Sequence, residues 1–225
     1  MIDRRIMQSY RGVFIVVEGC DGSGKGSAVA ALGAHLMALG HDVLLTREPG
    51  GTDEGLELRR LLLSAEGAIW DEGAELLLMI AARIQHVKRV IQPALAAGRV
   101  VLCDRYVGST LAYQGAGRGL SQEMILMLHR QFVDDFWPDL TVLLDVDARL
   151  GLTRSRARLV EQGLDEGRFE DLDLAFHQRV GDDFRAQAGR CQDRTLVIDA
   201  NPTMDIVREA VLNGVDAWLA ERVVA

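Results

Sequence analysis

Apolar positions along the chain follow two rhythms. Five short runs, at 13–17, 43–45, 100–103, 140–145 and 195–198, are almost continuously apolar, as strands buried on both faces are. Between them lie longer stretches with apolar residues at helical spacing: 25–39, 56–64, 74–97, 121–136, 149–159, 172–188 and 203–220. A strand without a polar face needs cover above and below, and alternation with helices supplies it. The pattern predicts an α/β fold, a five-stranded parallel sheet covered by helices on both faces. In such open sheets ligands bind beyond the carboxyl ends of the strands. The residues that follow each run are therefore the candidates for chemistry.

Composition narrows this picture in a few places. A chain of 225 residues, 48% apolar, can fill one core, and its four prolines leave no linker to divide it, so one domain over 1–225 is expected. The stretch 161–173, with six acids in 13 residues, reads as a polar, mobile insert between two helices. Lys and Arg number 25 against 33 Asp and Glu, a net charge of −8. That balance argues against nucleic acid or an anionic membrane as partner, but leaves room for a small anion held by a local arginine cluster. The three cysteines, Cys20, Cys103 and Cys191, form no C-x-x-C pair and read as reduced, intracellular thiols. The longest apolar run, 76–82, is too short for a membrane span, and the start, with Arg4 and Arg5, has no apolar signal region. A cytoplasmic protein is expected.

The first strand leads into Gly19-Cys20-Asp21-Gly22-Ser23-Gly24-Lys25, and a helix follows. Strand, glycine-rich loop and helix in that order are what a phosphate-binding loop requires. Glycines let successive N–H groups turn toward one anion, the helix adds its positive end, and Lys25 supplies a full charge for the β- and γ-phosphates of ATP. The usual pattern places Ser or Thr directly after the lysine as a Mg²⁺ ligand. Here Gly26 intervenes and Ser27 comes second, an arrangement that resembles adenylate kinases. The bland alternative is a glycine-rich turn with no ligand.

The later strands end in further motifs. They are Thr46-Arg47-Glu48-Pro49-Gly50-Gly51-Thr52; then 58–63 as L-R-x-L-L-L with Arg59; then Ala81-Ala82-Arg83-x-Gln85-His86. After them come Asp104-Arg105-Tyr106 and Tyr113-Gln114-Gly-Ala-Gly-Arg118-Gly119. In this order the motifs make the chain, from Phe14 to about Trp218, resemble the thymidylate kinases, which are P-loop nucleoside monophosphate kinases. The resemblance implies ATP and dTMP as substrates, Mg²⁺ as cofactor and a homodimer. Such a reaction needs arginine forks that neutralise a phosphoryl group in transit. Arg83 is notable on spacing alone, because it shares a helix face with Leu76, Met79 and Ile80, and an arginine in an apolar stripe needs a partner. The resemblance supplies the thymine base.

By the same resemblance, Glu48, Pro49, Arg59, Met79, Arg83, Arg105, Thr110, Tyr113 and Gln114 form the dTMP site, and Tyr113 excludes a 2′-hydroxyl. Met79 stands where many relatives carry an aromatic stacker. Asp21 orients the acceptor or a Mg²⁺ water, and Asp104 with Ser27 are further Mg²⁺ contacts; for Asp104, capping of the following segment weighs equally. Arg59 has a surface-snorkelling alternative. A lid is implied at about 154–173, with Arg158 as the catalytic arginine and Arg156 second, against a plain helix C-terminal role for both. Met124, Met127 and Leu128 read as core or subunit interface. Two other readings stay open, a kinase for another pyrimidine monophosphate and a nucleotide sensor without catalysis. A GTPase is disfavoured, since Asn201 and Asn213 are the only asparagines and neither starts an N-K-x-D motif.

Overall fold

The computed structural model describes residues 12–64, 70–163 and 167–223. The start with Arg4 and Arg5, and residues 164–166 of the acidic insert, lie outside the described residues. Strands β1 (Val13–Glu18), β2 (Val43–Arg47), β3 (Val100–Asp104), β4 (Leu140–Asp145) and β5 (Thr195–Asp199) pair in parallel in the order β2–β3–β1–β4–β5. Every expected strand forms. Four run one or two residues further than their apolar core, ending on Glu18, Arg47, Asp104 and Asp199. The last residue of each is charged, and these ends mark the edge where a ligand would meet the sheet.

The helices are α1 (Lys25–Ala38), α2 (Asp53–Leu63), α3 (Glu72–His86), α4 (Gln92–Ala96), α5 (Val107–Thr110), α6 (Gln122–Val133), α7 (Ala148–Gln162), α8 (Leu174–Arg190) and α9 (Met204–Val223). The central strand shows why both faces are covered. Ile15 and Val17 pack with Leu32 and Leu36 of α1 and Val211 of α9. Phe14 and Val16 face the other way, against Val87, Ile91, Tyr106 and Phe136. Each such side chain contributes about 1.5–3 kcal/mol on leaving water. Thr52, Asp71, Ser121, Asp147 and Asp173 cap α2, α3, α6, α7 and α8 by accepting backbone N–H groups. Helix α1 has no side-chain cap, because its N-cap is Gly24. Its first amides are thereby left to the phosphate loop.

Three stretches depart from expectation. The single helix expected over 74–97 is divided by a π-helical turn, Val87–Ile91, just before Pro93. Proline has no N–H to donate to the preceding turn, so the ladder changes register there. The glycine-rich motif after β3 is helical: α5 continues into a π-helix, Leu111–Gly117. The described part of the acidic insert, 167–173, is not a solvated loop, since Phe169 and Glu170 are buried. No helix among the described residues is long and apolar enough to cross a membrane.

Candidate active site

The loop between β1 and α1 curls through left-handed glycines, with φ 72° at Gly22 and 93° at Gly24. A Cβ on Gly22 would stand 1.9 Å from the Gly151 carbonyl of α7, so the loop abuts that helix through backbone alone. Lys25 is buried, and its Nζ donates to the Cys20 carbonyl at 2.7 Å and to Ser23 Oγ at 3.4 Å. Burial first, and then the Arg105 charge, lower the Lys25 pKa to about 8. Burial raises the Cys20 thiol to about 11, which keeps it protonated and inert. Ser27 is exposed on the first turn of α1, next to Gly26.

Beside the loop lies a cavity of about 100 Å³. Asp21, Glu48, Pro49, Arg59, Met79, Arg83, Arg105, Thr110, Tyr113, Gln114 and Arg158 line it, together with Tyr106, Ser109, Phe169 and Glu170. A larger cavity of about 520 Å³ lies between α6 and α8, walled mainly by apolar side chains such as Trp137 and Phe184. Size does not choose between them; convergent arginines beside a phosphate loop do.

Arg105 joins loop and cavity. Its backbone is left-handed at φ 70°, a conformation that costs a non-glycine residue about 1–3 kcal/mol and often marks a working site. The side chain donates to the Gly19 carbonyl and Ser109 Oγ, both at 3.0 Å, to Asp21, and to Tyr113 Oη at 3.3 Å, with the guanidinium 5.0 Å above the Tyr113 ring. Tyr113 Oη in turn donates to Asp21 at 2.7 Å. Burial alone would raise the Asp21 carboxyl, but the charges of Arg105 and Lys25 and the Tyr113 hydroxyl outweigh it and hold it low. Glu18 fixes the turn from below: it accepts from the Tyr106 and Ser109 amides and from Ser109 Oγ at 2.6 Å. Burial raises its pKa.

Arg83, only 2% exposed, finds its partner inside the protein, which corrects the expectation that the base alone supplies one. Its Nε donates to Glu48 at 2.7 Å and Nη2 to Thr110 Oγ1 at 2.7 Å, while Nη1 is buried without a partner. His86 braces Glu48 from behind at 3.0 Å and meets Thr46 Oγ1 at 2.7 Å. Burial would raise Glu48, but Arg83 and then His86 hold it below the usual carboxylate value. Arg59 donates to the Pro49 carbonyl at 3.2 Å, which points it inward rather than along the surface.

The other candidates are placed less centrally. Asp104 does not cap the segment that follows, since α5 has no side-chain cap. Its Oδ1 is buried and unpartnered, and Oδ2 lies 3.9 Å from where a Gly26 Cβ would stand. Arg156 does not line the cavity; it donates to the Glu170 carbonyl at 3.1 and 2.6 Å. Arg154 shares a helix face with Arg158 but reaches away, to the carbonyls of Ala200, Asn201 and Pro202. Arg158 is 51% exposed, bonded to Ser155 Oγ at 3.2 Å and loosely paired with Glu170 at 3.9 Å. Arg47 is exposed outside the cavity, and Arg118 pairs with buried Glu75. No group of three or more His, Cys, Asp or Glu that could hold a metal occurs among the described residues. The sequence reading passed over Glu18, Glu75, Phe169 and Glu170. A signal existed for Glu75, four and eight residues before Met79 and Arg83 on the same helix face.

A phosphate loop after the central strand of a parallel sheet, with an arginine-lined acceptor cavity beside it, defines a P-loop nucleoside monophosphate kinase. Residues 17–211 match the thymidylate kinase family, and the chain belongs to it. It is 57% identical over 211 residues to the thymidylate kinase of Cereibacter sphaeroides, covering 94% of this chain and 97% of that one. It is 50% identical to that of Solidesulfovibrio magneticus over 88% and 96% of the two chains. The crystal structure of thymidylate kinase from Ehrlichia chaffeensis superposes with a TM-score of 0.74 at 34% identity, over 92% of this chain and 98% of that one.

Proposed function

We propose that the protein transfers the γ-phosphoryl group of ATP to dTMP, giving ADP and dTDP. The observation that carries this is the Arg105–Asp21 junction, which joins the phosphate loop to a cavity lined by Arg83 and Gln114. The loop amides and Lys25 hold the ATP phosphates. Arg105 and Arg59 hold the acceptor phosphate, an oxygen of which attacks the γ-phosphorus. The bond from that phosphorus to the β,γ-bridging oxygen breaks, and ADP leaves. Arg158 is 51% exposed and, among the described residues, held by one loose ion pair and the Ser155 hydroxyl, so it can swing onto the charge that spreads over the phosphoryl group in transit. Segment 154–173 acts as the lid that excludes water, a competing acceptor. Tyr113 packs below the nucleoside and leaves no room for a 2′-hydroxyl.

Mg²⁺ fits the residues present. Asp104 offers an unpartnered buried oxygen beside the loop, and Ser27 offers a hydroxyl on the first turn of α1. Hard oxygen donors few in number suit an ion that keeps water and substrate phosphates as its other ligands. When bound, Mg²⁺ would neutralise charge on the β- and γ-phosphates. A cytoplasmic homodimer completes the reading, supported by apolar side chains left exposed on α2, α3 and α6.

A coupled assay of ADP release with dTMP, dUMP, dCMP, dGMP, UMP and AMP tests it. Turnover should be fastest with dTMP and should stop when the divalent cation is chelated. ATP binding without turnover on any acceptor would instead make the protein a nucleotide sensor.

A further inference from the structure

Gln114, which lines the cavity, shares one buried carboxylate behind it with two arginines. Glu75, in the first turn of α3, is 0% exposed. Its Oε1 accepts from Gln114 Nε2 at 2.8 Å and its Oε2 from Arg118 Nη2 at 3.1 Å, and Arg168 Nη2 is ion-paired with Oε2 at 2.9 Å. Flanked by two guanidinium groups, this carboxylate acts as an acceptor only. Gln114 therefore has no choice of amide orientation. Its NH₂ faces Glu75, and its carbonyl oxygen is the atom left for the cavity that it lines. Arg83, whose guanidinium can only donate, lines the same cavity. A fixed donor and a fixed acceptor match the C=O and N–H of an imide base. They oppose cytosine, whose ring nitrogen accepts and whose exocyclic amine donates.

We infer that Glu75 is a positioning residue for base selection, holding Gln114 as an acceptor toward the ring N–H of the base. Arg168 ties the segment that carries Phe169 and Glu170 to the same carboxylate, so the seat of the lid and the setting of the amide share one anchor. The inference deepens the proposed function and rests on dTMP as acceptor.

Steady-state kinetics with dTMP and dCMP test it in four proteins: wild type, Glu75→Gln, Glu75→Asp and Arg168→Ala. Glutamine at 75 can donate as well as accept, so Gln114 is free to turn over. The ratio of kcat/KM for dTMP over dCMP should fall at least about tenfold, through a raised KM for dTMP and a gain on dCMP; a lost or reversed hydrogen bond inside a site is worth that much or more. Glu75→Asp, still an acceptor only, should restore most of the ratio. Arg168→Ala should lower kcat on both acceptors and leave the ratio unchanged. Equal losses on both acceptors in Glu75→Gln would overturn the inference and leave Glu75 a structural residue. Should that variant not fold, the wild type decides by ¹⁵N NMR of the Gln114 side-chain amide, assigned as the signal lost in Gln114→Met. Protection from solvent exchange before and after dTMP addition supports the inference, and rapid exchange without ligand overturns it. A wild type with no activity on dTMP would remove the functional reading instead, whatever the amide shows.

Discussion

Lys25 shows how much a single residue's setting differs from its motif role. Its ammonium is buried against a backbone carbonyl with Arg105 nearby, and its pKa is lowered to about 8. A triphosphate adds negative charge at Nζ and raises that pKa again, so above pH 8 binding must take up a proton. ATP affinity should therefore be flat below pH 8 and weaken above it, by up to about tenfold per unit. Calorimetric titration between pH 7 and 9.5 checks the slope, and Lys25→Met should abolish both slope and turnover. The same burial fixes the sign for stability. A lysine whose folded pKa lies below its unfolded one costs stability wherever both states are charged, here below pH 8. Lys25→Met should thus keep or raise Tm, and a large fall would assign the side chain to the core. Arg83 is the opposite case. Removing it leaves the buried Glu48 carboxylate with His86 as its partner among the described residues. Breaking a buried pair costs about 3–5 kcal/mol, so Arg83→Ala should lower Tm by on the order of ten degrees as well as weaken dTMP binding. Calorimetry of both processes separates the effects, and unchanged dTMP binding would remove α3 from the acceptor site.

At the scale of elements, legibility follows how strongly each segment's own residues dictate its state. The five strands were readable because uninterrupted apolar runs of that length have few other homes, and their charged last residues add only a residue or two. The π-helix at Leu111–Gly117 was not, because Gly108, Gly115, Gly117 and Gly119 read locally as a loop. Packing overrides them: a Cβ on Gly117 would meet the Phe176 ring at 2.5 Å, so glycine is what lets α8 seat against this turn. The site was legible as a set of motif residues but not as a network. Local spacing could not show that Asp21 would hold Arg105, or that Glu48 would hold Arg83. Phe169 was hidden for a related reason, one aromatic among acids, buried only when Tyr113 and Phe176 close around it. The segment proposed as a lid also separates its arginines. Arg158→Ala should lower kcat by on the order of a hundredfold with KM for dTMP little changed, as expected of a group that acts on transition-state charge. Arg156→Ala removes two bonds to the Glu170 carbonyl and should raise KM and lower kcat together, because it unseats the segment. Should the two variants exchange these signatures, Arg156 is the arginine that reaches the phosphoryl group.

For the whole molecule, the remaining question is what covers the outer face of α2, α3 and α6. These helices pack side by side, α2 on α3 and α3 on α6. Their inner faces are committed, with Leu62, Leu76, Ile80 and Ile125 buried, yet Leu61, Leu77 and Met127 remain 51%, 59% and 52% exposed. Apolar side chains on three adjacent helices make a patch of the kind that marks association surfaces, and a twofold contact would bury it against itself. The consequence reaches the acceptor cavity, because α3 carries Leu77 on its outside and Met79 and Arg83 on its inside. A subunit contact there would brace the cavity wall. Leu77→Glu with Met127→Glu places like charges across a twofold axis, and light scattering coupled to gel filtration should then give a monomer where the wild type gives a dimer. That monomer should bind ATP as before, since α1 and its loop lie on another part of the sheet, but show a severalfold higher KM for dTMP. A wild type that is itself monomeric would discard the interface. A monomeric variant with unchanged KM would keep the interface but show that α3 holds the cavity without help from a partner.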